Sequence, residues 1–314
     1  MEVFLVTIQQ VFVLFSIMLI GFFIMRQKKL DESAVGVLTY VYSTVMLPCA
    51  IIKAMQFEFT LDVLTECGLL IIISFIVILF EFVLGFIFNK TTKQPQLDKN
   101  LYKYCILFSN FGMMGIPVIE GVFGSKGLFY MSIFILFIRL MTNSYGFLLL
   151  QKDTPFSTKI SLGMFKNQLI IAMIIGLAVS VLGIPMPVPI QNLIDTLAKG
   201  NAAIGMLVVG MNLAGYSLDV MFKNKFAWAI VAIRLGVIPI FVLFLFKMFR
   251  MDLELALVAV VTLGLPCPAF ASILTKKYGG NYIRGSQIVL TSTLMSAITI
   301  PALVWLCNFA YNIG

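Results

Sequence analysis

The chain has 314 residues, 61% of them hydrophobic and only 11% charged, and its mean hydropathy of +1.04 lies outside the range of soluble domains. Its formal net charge of +8 comes from basic residues scattered in twos and threes between apolar runs, a distribution that argues against a nucleic-acid partner. There is no histidine, so His-dependent triads, imidazole metal sites and His proton relays are excluded.

Apolar runs of about twenty residues recur along the chain, the signature of helices that span lipid, and the period-two alternation of a membrane barrel is absent. The runs predict ten spans, at residues 3–25, 34–56, 63–88, 104–122, 128–150, 168–184, 190–216, 226–249, 252–275 and 285–311. The first has neither a basic leader nor a small-residue cleavage site, so it reads as a span rather than a signal peptide. The five cysteines, Cys49, Cys67, Cys105, Cys267 and Cys307, lie in or beside apolar runs without CxxC spacing and read as small buried hydrophobes, with no metal site or cofactor implied.

Alternate connections collect the basic residues. One set holds Arg26, Lys28, Lys29, Lys90, Lys93, Lys99, Lys103, Lys152, Lys159, Lys166, Lys223, Lys225, Lys276, Lys277 and Arg284; the other holds Lys126, Lys247 and Arg250. By the positive-inside rule the first set is cytoplasmic, which puts both termini outside. The natural midpoint is the connection 151–167. It separates a first five-helix repeat, residues 1–150, from a second, residues 168–314, and because five is odd the two must be inverted, the plan of secondary carriers.

Span four carries "NFGMMGIPVIEG", Asn110 to Gly121, and span nine, its partner by position, carries Gly264-Leu265-Pro266. Proline removes a backbone N–H and clashes one turn back, and glycine eases departure from helical geometry. Both spans are therefore expected to break, with Pro117 and Pro266 opening the second half-helices and two positive helix ends meeting near the midplane as an anion site. Asn110 either faces the ligand or bonds the freed backbone. Glu120 either answers the helix dipole or carries a proton or coupling ion.

Arg139, with Thr142 and Asn143 a turn later, sits mid-span and either recognises an anion or pairs with Glu81 or the broken backbone. Arg234 reads as a snorkelling residue nearer the cytoplasm. Asp195 and Lys199, four apart, are expected to pair with each other. Lys53 and Glu66 carry no assignment, and the 18 methionines read as packing.

The N-x-G-x-x-G-x-P of Asn110 to Pro117 with "VFGSKG" after it, Leu47-Pro48, "VVGMNLAG", "RLGVIP", and "LPCPAFASILTKKYGGN" leading to "TSTLMSAITIP" resemble the auxin efflux carrier family across essentially the whole chain. The resemblance implies an all-α polytopic membrane protein of ten helices in two inverted five-helix repeats, with helices four and nine broken at prolines and crossing. It implies a scaffold of helices 1, 2, 6 and 7, with a possible homodimer through them, and a mobile unit of helices 3–5 and 8–10 working as an elevator. Plant members export auxin, and bacterial members are associated with malate, malonate and related anions.

On that basis Asn110, Pro117 and Pro266 carry over as crossover residues; together with the reading of the residues themselves, the expected substrate site comprises Asn110, Gly112, Met113, Gly115, Pro117, Arg139, Asn143, Gly264, Pro266 and Pro268. The chain departs from the family pattern at Phe270 and Pro268, where a polar residue, often Asn, is expected. The resulting expectation is a plasma-membrane secondary carrier of small organic anions, not an enzyme. A sodium-coupled symporter of the bile-acid type is the alternative; an intramembrane enzyme and a passive channel fit less well.

Overall fold

The computed structural model describes residues 2–57, 60–150, 167–216 and 224–312. Lys152, Lys159, Lys166 and Lys223, with the 151–166 part of the expected midpoint connection, lie outside the described residues. Every described element is helical. The first half contains α1 (Glu2–Arg26), α2 (Glu32–Val41), a π-turn at Tyr42–Met46, α3 (Leu47–Met55), α4 (Leu61–Thr91), α5 (Gln96–Leu107), a π-turn at Phe111–Gly115, α6 (Ile116–Phe134), α7 (Leu136–Met141), a π-turn at Thr142–Gly146 and α8 (Phe147–Leu150). The second contains α9 (Gln168–Val181), α10 (Val188–Lys199), α11 (Asn201–Ala214), α12 (Lys225–Ala232), a π-turn at Ile233–Val237, α13 (Ile238–Met248), α14 (Leu253–Leu263), α15 (Phe270–Lys277) and α16 (Tyr282–Asn312).

Among the described residues seven helical segments are long and apolar enough to cross a membrane: Phe4–Arg26, Ser33–Met55, Leu61–Thr91, Gln96–Phe134, Val188–Ala214, Lys225–Met248 and Tyr282–Asn312. Shorter apolar segments run from Leu136 to Leu150, Gln168 to Val181 and Leu253 to Leu263. The Gln96–Phe134 stretch is not one rod. Residues 108–110 leave helical geometry, and Gly124 takes φ 66° inside α6, a left-handed conformation that suits glycine and turns the chain between the expected spans four and five.

Helix starts follow local chemistry. The Thr60 hydroxyl accepts from the Val63 N–H at the head of α4, Asn167 Oδ1 from the Leu169 N–H at α9, and Asn224 Oδ1 from the Phe226 N–H at α12. Large side chains such as Phe12, Phe23, Phe86, Ile174 and Leu193 remain on the outside, as a lipid solvent requires. The core sits around the second half of α5, the start of α6 and α14, where most residues are buried.

Two sets of packings organise the molecule. In one, α1 lies along α11, and α9 and α10 lie against α3. The α1–α11 approach depends on glycine: a Cβ on Gly210 would stand 1.8 Å from the Met18 carbonyl oxygen, and one on Gly21 would stand 2.3 Å from that of Leu207. Gly176 likewise lets α9 meet α3, where its Cβ would fall 2.9 Å from the Ile52 oxygen. In the other set, α4 packs on α5, α6 and α7, while α16 packs on α12, α14 and α15. The two sets meet chiefly where α6 touches α1, α3 and α11 and where α1 touches α16.

Candidate functional site

The expected breaks exist, but not at the expected residues. Span four stops at Leu107, runs extended through Phe108 (φ −126°, ψ 145°) and restarts at Phe111, six residues before Pro117. The Asn110 carbonyl then accepts from the N–H groups of Met114 and Gly115, at 3.3 and 2.9 Å, which closes the wide first turn. Pro117 does not open this half-helix: the widened π-turn ahead of it absorbs the clash its ring would make one turn back. Span nine stops at Leu263 and restarts at Phe270, so Pro266 and Pro268 lie in the irregular segment between and Pro266 does not open a half-helix either.

The two breaks are tied to each other. The Asn110 N–H donates to the Pro266 carbonyl at 2.8 Å, the Ser109 hydroxyl to the Leu265 carbonyl at 3.3 Å, and the Cys267 thiol to the Cys105 carbonyl at 3.5 Å. The Cys267 N–H is taken by the Ser292 hydroxyl of α16 at 3.1 Å. Backbone groups released by each break are thus satisfied by the other and by neighbouring hydroxyls, the condition for irregular backbone inside a membrane protein. For Asn110 this fixes what the backbone does; the side chain remains at a cavity.

Behind the crossing lies a buried ion pair. Arg234 is fully buried and does not snorkel: its Nη1 donates to Glu81 Oε1 at 2.5 Å and to the Ile106 carbonyl at 3.0 Å, and its Nη2 to the Ser109 hydroxyl. The cation therefore sits at the C-terminal end of α5, where carbonyls lack intrahelical donors, and Glu81 neutralises it. Glu81 is thereby unavailable to Arg139, which removes one of the two structural pairings open to that residue. The Asp195–Lys199 pairing also fails, because Asp195 instead binds Lys53 of α3 at 3.2 Å. Glu66 accepts from the Tyr130 hydroxyl at 2.5 Å.

In front of the crossing is a cavity of about 440 Å³. Asn110, Gly112, Met113, Arg139, Asn143 and Pro268 line it; Gly115, Pro117, Gly264, Pro266 and Glu120 do not. Arg139 is only 8% exposed, and its Nη2 has no hydrogen-bond partner. The second half-helices of both broken spans begin at the cavity wall, with Phe111, Gly112 and Met113 on one side and Pro268 and Phe270 on the other. The first N–H groups of a helix lack intrahelical acceptors and carry its positive end. The space beyond Gly112 is open, with nothing within 4 Å of a Cβ built there.

The sequence reading missed Ser109, Tyr104, Ser43 and Asn167, which share the wall. Only Ser109, beside Asn110 in the broken stretch, had a signal; Tyr104 precedes the break on the same span, and Ser43 and Asn167 come from distant segments. Glu120 lies elsewhere, its Oε2 accepting from Asn201 Nδ2 at 2.8 Å. Among the described residues no group of three or more His, Cys, Asp or Glu assembles as a metal site.

A many-spanning helical chain whose interrupted helices enclose a cavity with an unpaired cationic nitrogen has the make-up of a multi-pass membrane transport protein. The family model described as "membrane transport protein" matches residues 6–159 and 155–305, which together take in nearly the whole chain. The chain belongs to that family, the auxin efflux carriers. Comparison with curated proteins finds none that matches.

Proposed function

We propose that the protein is a secondary carrier of small organic anions, with the carboxylate held by Arg139 in the cavity at the crossing of spans four and nine. The observation that carries this reading is Arg139, a buried residue in the wall of the cavity where two half-helices start, whose Nη2 has no partner. A buried guanidinium with unused donors matches a carboxylate through parallel hydrogen bonds. Asn143 and the Gly112 and Met113 N–H groups offer further donors, and Leu47, Met113 and Phe270 supply apolar wall.

In this reading the ten spans form two inverted repeats, residues 1–150 and 168–314. Spans 1, 2, 6 and 7 are the scaffold and place of any homodimer contact, and spans 3–5 and 8–10 are the unit that moves as an elevator. The two sets of helix packings described above support that division. Both termini lie outside a plasma membrane, on the strength of the charge bias of the connections. The membrane potential alone can expel an anion from a negative-inside cell, at about 2.3 kcal/mol per charge per 100 mV.

The test is a binding screen of mono- and dicarboxylates on the purified protein, followed by exchange in proteoliposomes. Arg139→Ala is expected to weaken binding by roughly 10- to 100-fold, the value of one or two hydrogen bonds to a charged group. Unchanged affinity in Arg139→Ala would sink the assignment of the site. Uptake that requires sodium would favour the bile-acid type of symporter instead.

A further inference from the structure

Glu120 is placed unlike the other intramembrane acids. Glu81 is bound by Arg234, Glu66 by Tyr130, and the outer Glu254 by Lys126 at 2.6 Å. Glu120 stands in the first turns of α6, on span four, and reaches across to Asn201 at the head of α11. Asn201 is fully buried, and its Oδ1 receives no hydrogen bond. Tyr42 is fully buried too, and its hydroxyl has no partner.

These groups share one interface. A Cβ on Gly205 would lie 2.5 Å from the Tyr42 hydroxyl and 2.7 Å from the Pro117 ring. Gly205 is one helical turn after Asn201 and Pro117 one turn before Glu120, so the Tyr42 hydroxyl sits about one turn along from the Glu120–Asn201 bond. Lys53 of α3 acts electrostatically on Glu120 while bound to Asp195 of α10. From α1 the neighbour is the neutral Gln10, whose Oε1 lies 3.9 Å from a Cβ built on Gly121.

We propose that Glu120, Asn201 and Tyr42 form a proton-binding site at the contact between span four and the scaffold, and that protonation of Glu120 releases that contact. The proposal rests on the division into scaffold and moving unit made above. With Glu120 ionised, the Asn201 amide must turn its NH2 to the carboxylate, which leaves Oδ1 without a donor. When a proton from water adds to the carboxylate, one O–H bond forms, no other bond changes, and the new O–H can donate to Oδ1 once the amide turns over. The buried orphan is then satisfied.

Charge decides the mechanical consequence. The ionised carboxylate is held by a charge-assisted bond to Asn201 and by the field of Lys53, both on the scaffold, in surroundings where charges interact strongly. The neutral acid keeps only a neutral hydrogen bond, roughly half as strong. A metal cation would need several oxygens around one point, whereas a proton needs one. Glu120 therefore couples proton arrival to movement of the helix that carries half of the crossing.

The experiment uses the full chain in lipid, with protons as the only ligand. Infrared difference spectra on acidification should show a protonated-carboxyl C=O band that is missing in Glu120→Gln. Asn201→Ala removes the donor that favours the ionised form, so the midpoint should rise by about one pH unit. Motion is read across a second contact, Tyr216 hydroxyl to Ser272 hydroxyl at 2.5 Å, between the end of α11 and α15. With Tyr216→Cys and Ser272→Cys, cross-linking by a short bis-maleimide should fall several-fold on acidification when Glu120 is present, and stay low at every pH in Glu120→Gln.

A band that persists in Glu120→Gln, an unshifted midpoint in Asn201→Ala, a midpoint that moves when sodium replaces choline, or cross-linking in Glu120→Gln that follows pH as the parent does would each overturn the proposal. Should Glu120→Gln not fold, the Asn201→Ala shift decides. Neither readout uses an organic anion, so failure of the carboxylate screen leaves both intact.

Discussion

Two arginines inside the membrane region show how far residue identity alone carries. Arg234 spends both terminal nitrogens on Glu81, the Ile106 carbonyl and Ser109 and serves the crossing from behind; Arg139 has an Nη2 with no partner and lines the cavity. Sequence spacing sees neighbours on one helix, so it linked Asp195 to Lys199 and could not see Lys53, 142 positions away in the chain and 3.2 Å away in space. The same limit hid the Glu81–Arg234 pair. Removing one member of a buried ion pair leaves an uncompensated charge, at about 3–5 kcal/mol. Glu81→Leu and Arg234→Met are each expected to lower the melting temperature of the detergent-solubilised protein sharply, and the double variant to recover a large part of that loss. If the double variant melts at or below the lower single, the pair is not the stabilising unit described.

At the scale of elements, prolines were legible as disturbances but not as the kind of disturbance they are. Among the described residues four π-turns occur, and in three of them, Tyr42–Met46, Phe111–Gly115 and Ile233–Val237, a proline follows the turn by two residues, at Pro48, Pro117 and Pro239. A proline ring collides with the carbonyl one turn back, and widening that turn relieves it without ending the helix. The true break in span four lies upstream, where the Asn110 N–H finds an acceptor on the other broken span. That partner is 156 positions away, which is why its location could not be read locally. Glycine gives the matching test of packing. Gly210→Val would push a side chain into the Met18 backbone, which has no flexible end to yield, so the variant is expected to lose more than the roughly 1–3 kcal/mol of ordinary overpacking. Gly68→Ala, with nothing within 4 Å of its Cβ, should melt at or above the parent temperature.

For the whole molecule, the positions of the apolar stretches were legible because lipid demands them, and the ends of most agree with the observed helices to within a few residues, though among the described residues seven rather than ten are long and apolar enough to cross a membrane. Which helices pack into one set was not legible, since it depends on contacts between distant segments. Gln56 and Gln191 exchange amide hydrogen bonds at 3.2 and 3.0 Å between the end of α3 and α10, both within the proposed scaffold. Tyr216 and Ser272 join the end of α11, in the proposed scaffold, to α15 of the unit proposed to move. A bis-maleimide tie between Gln56→Cys and Gln191→Cys should therefore leave exchange flux within about two-fold of the untied variant, because an elevator does not alter distances inside its scaffold. A tie of the same length between Tyr216→Cys and Ser272→Cys should stop exchange while equilibrium binding of the carboxylate persists, since the cavity itself is undisturbed. Arrest by both ties would mean that the scaffold deforms, and arrest by neither would mean that the two bodies do not slide; either result would replace the elevator with local gating around the crossing.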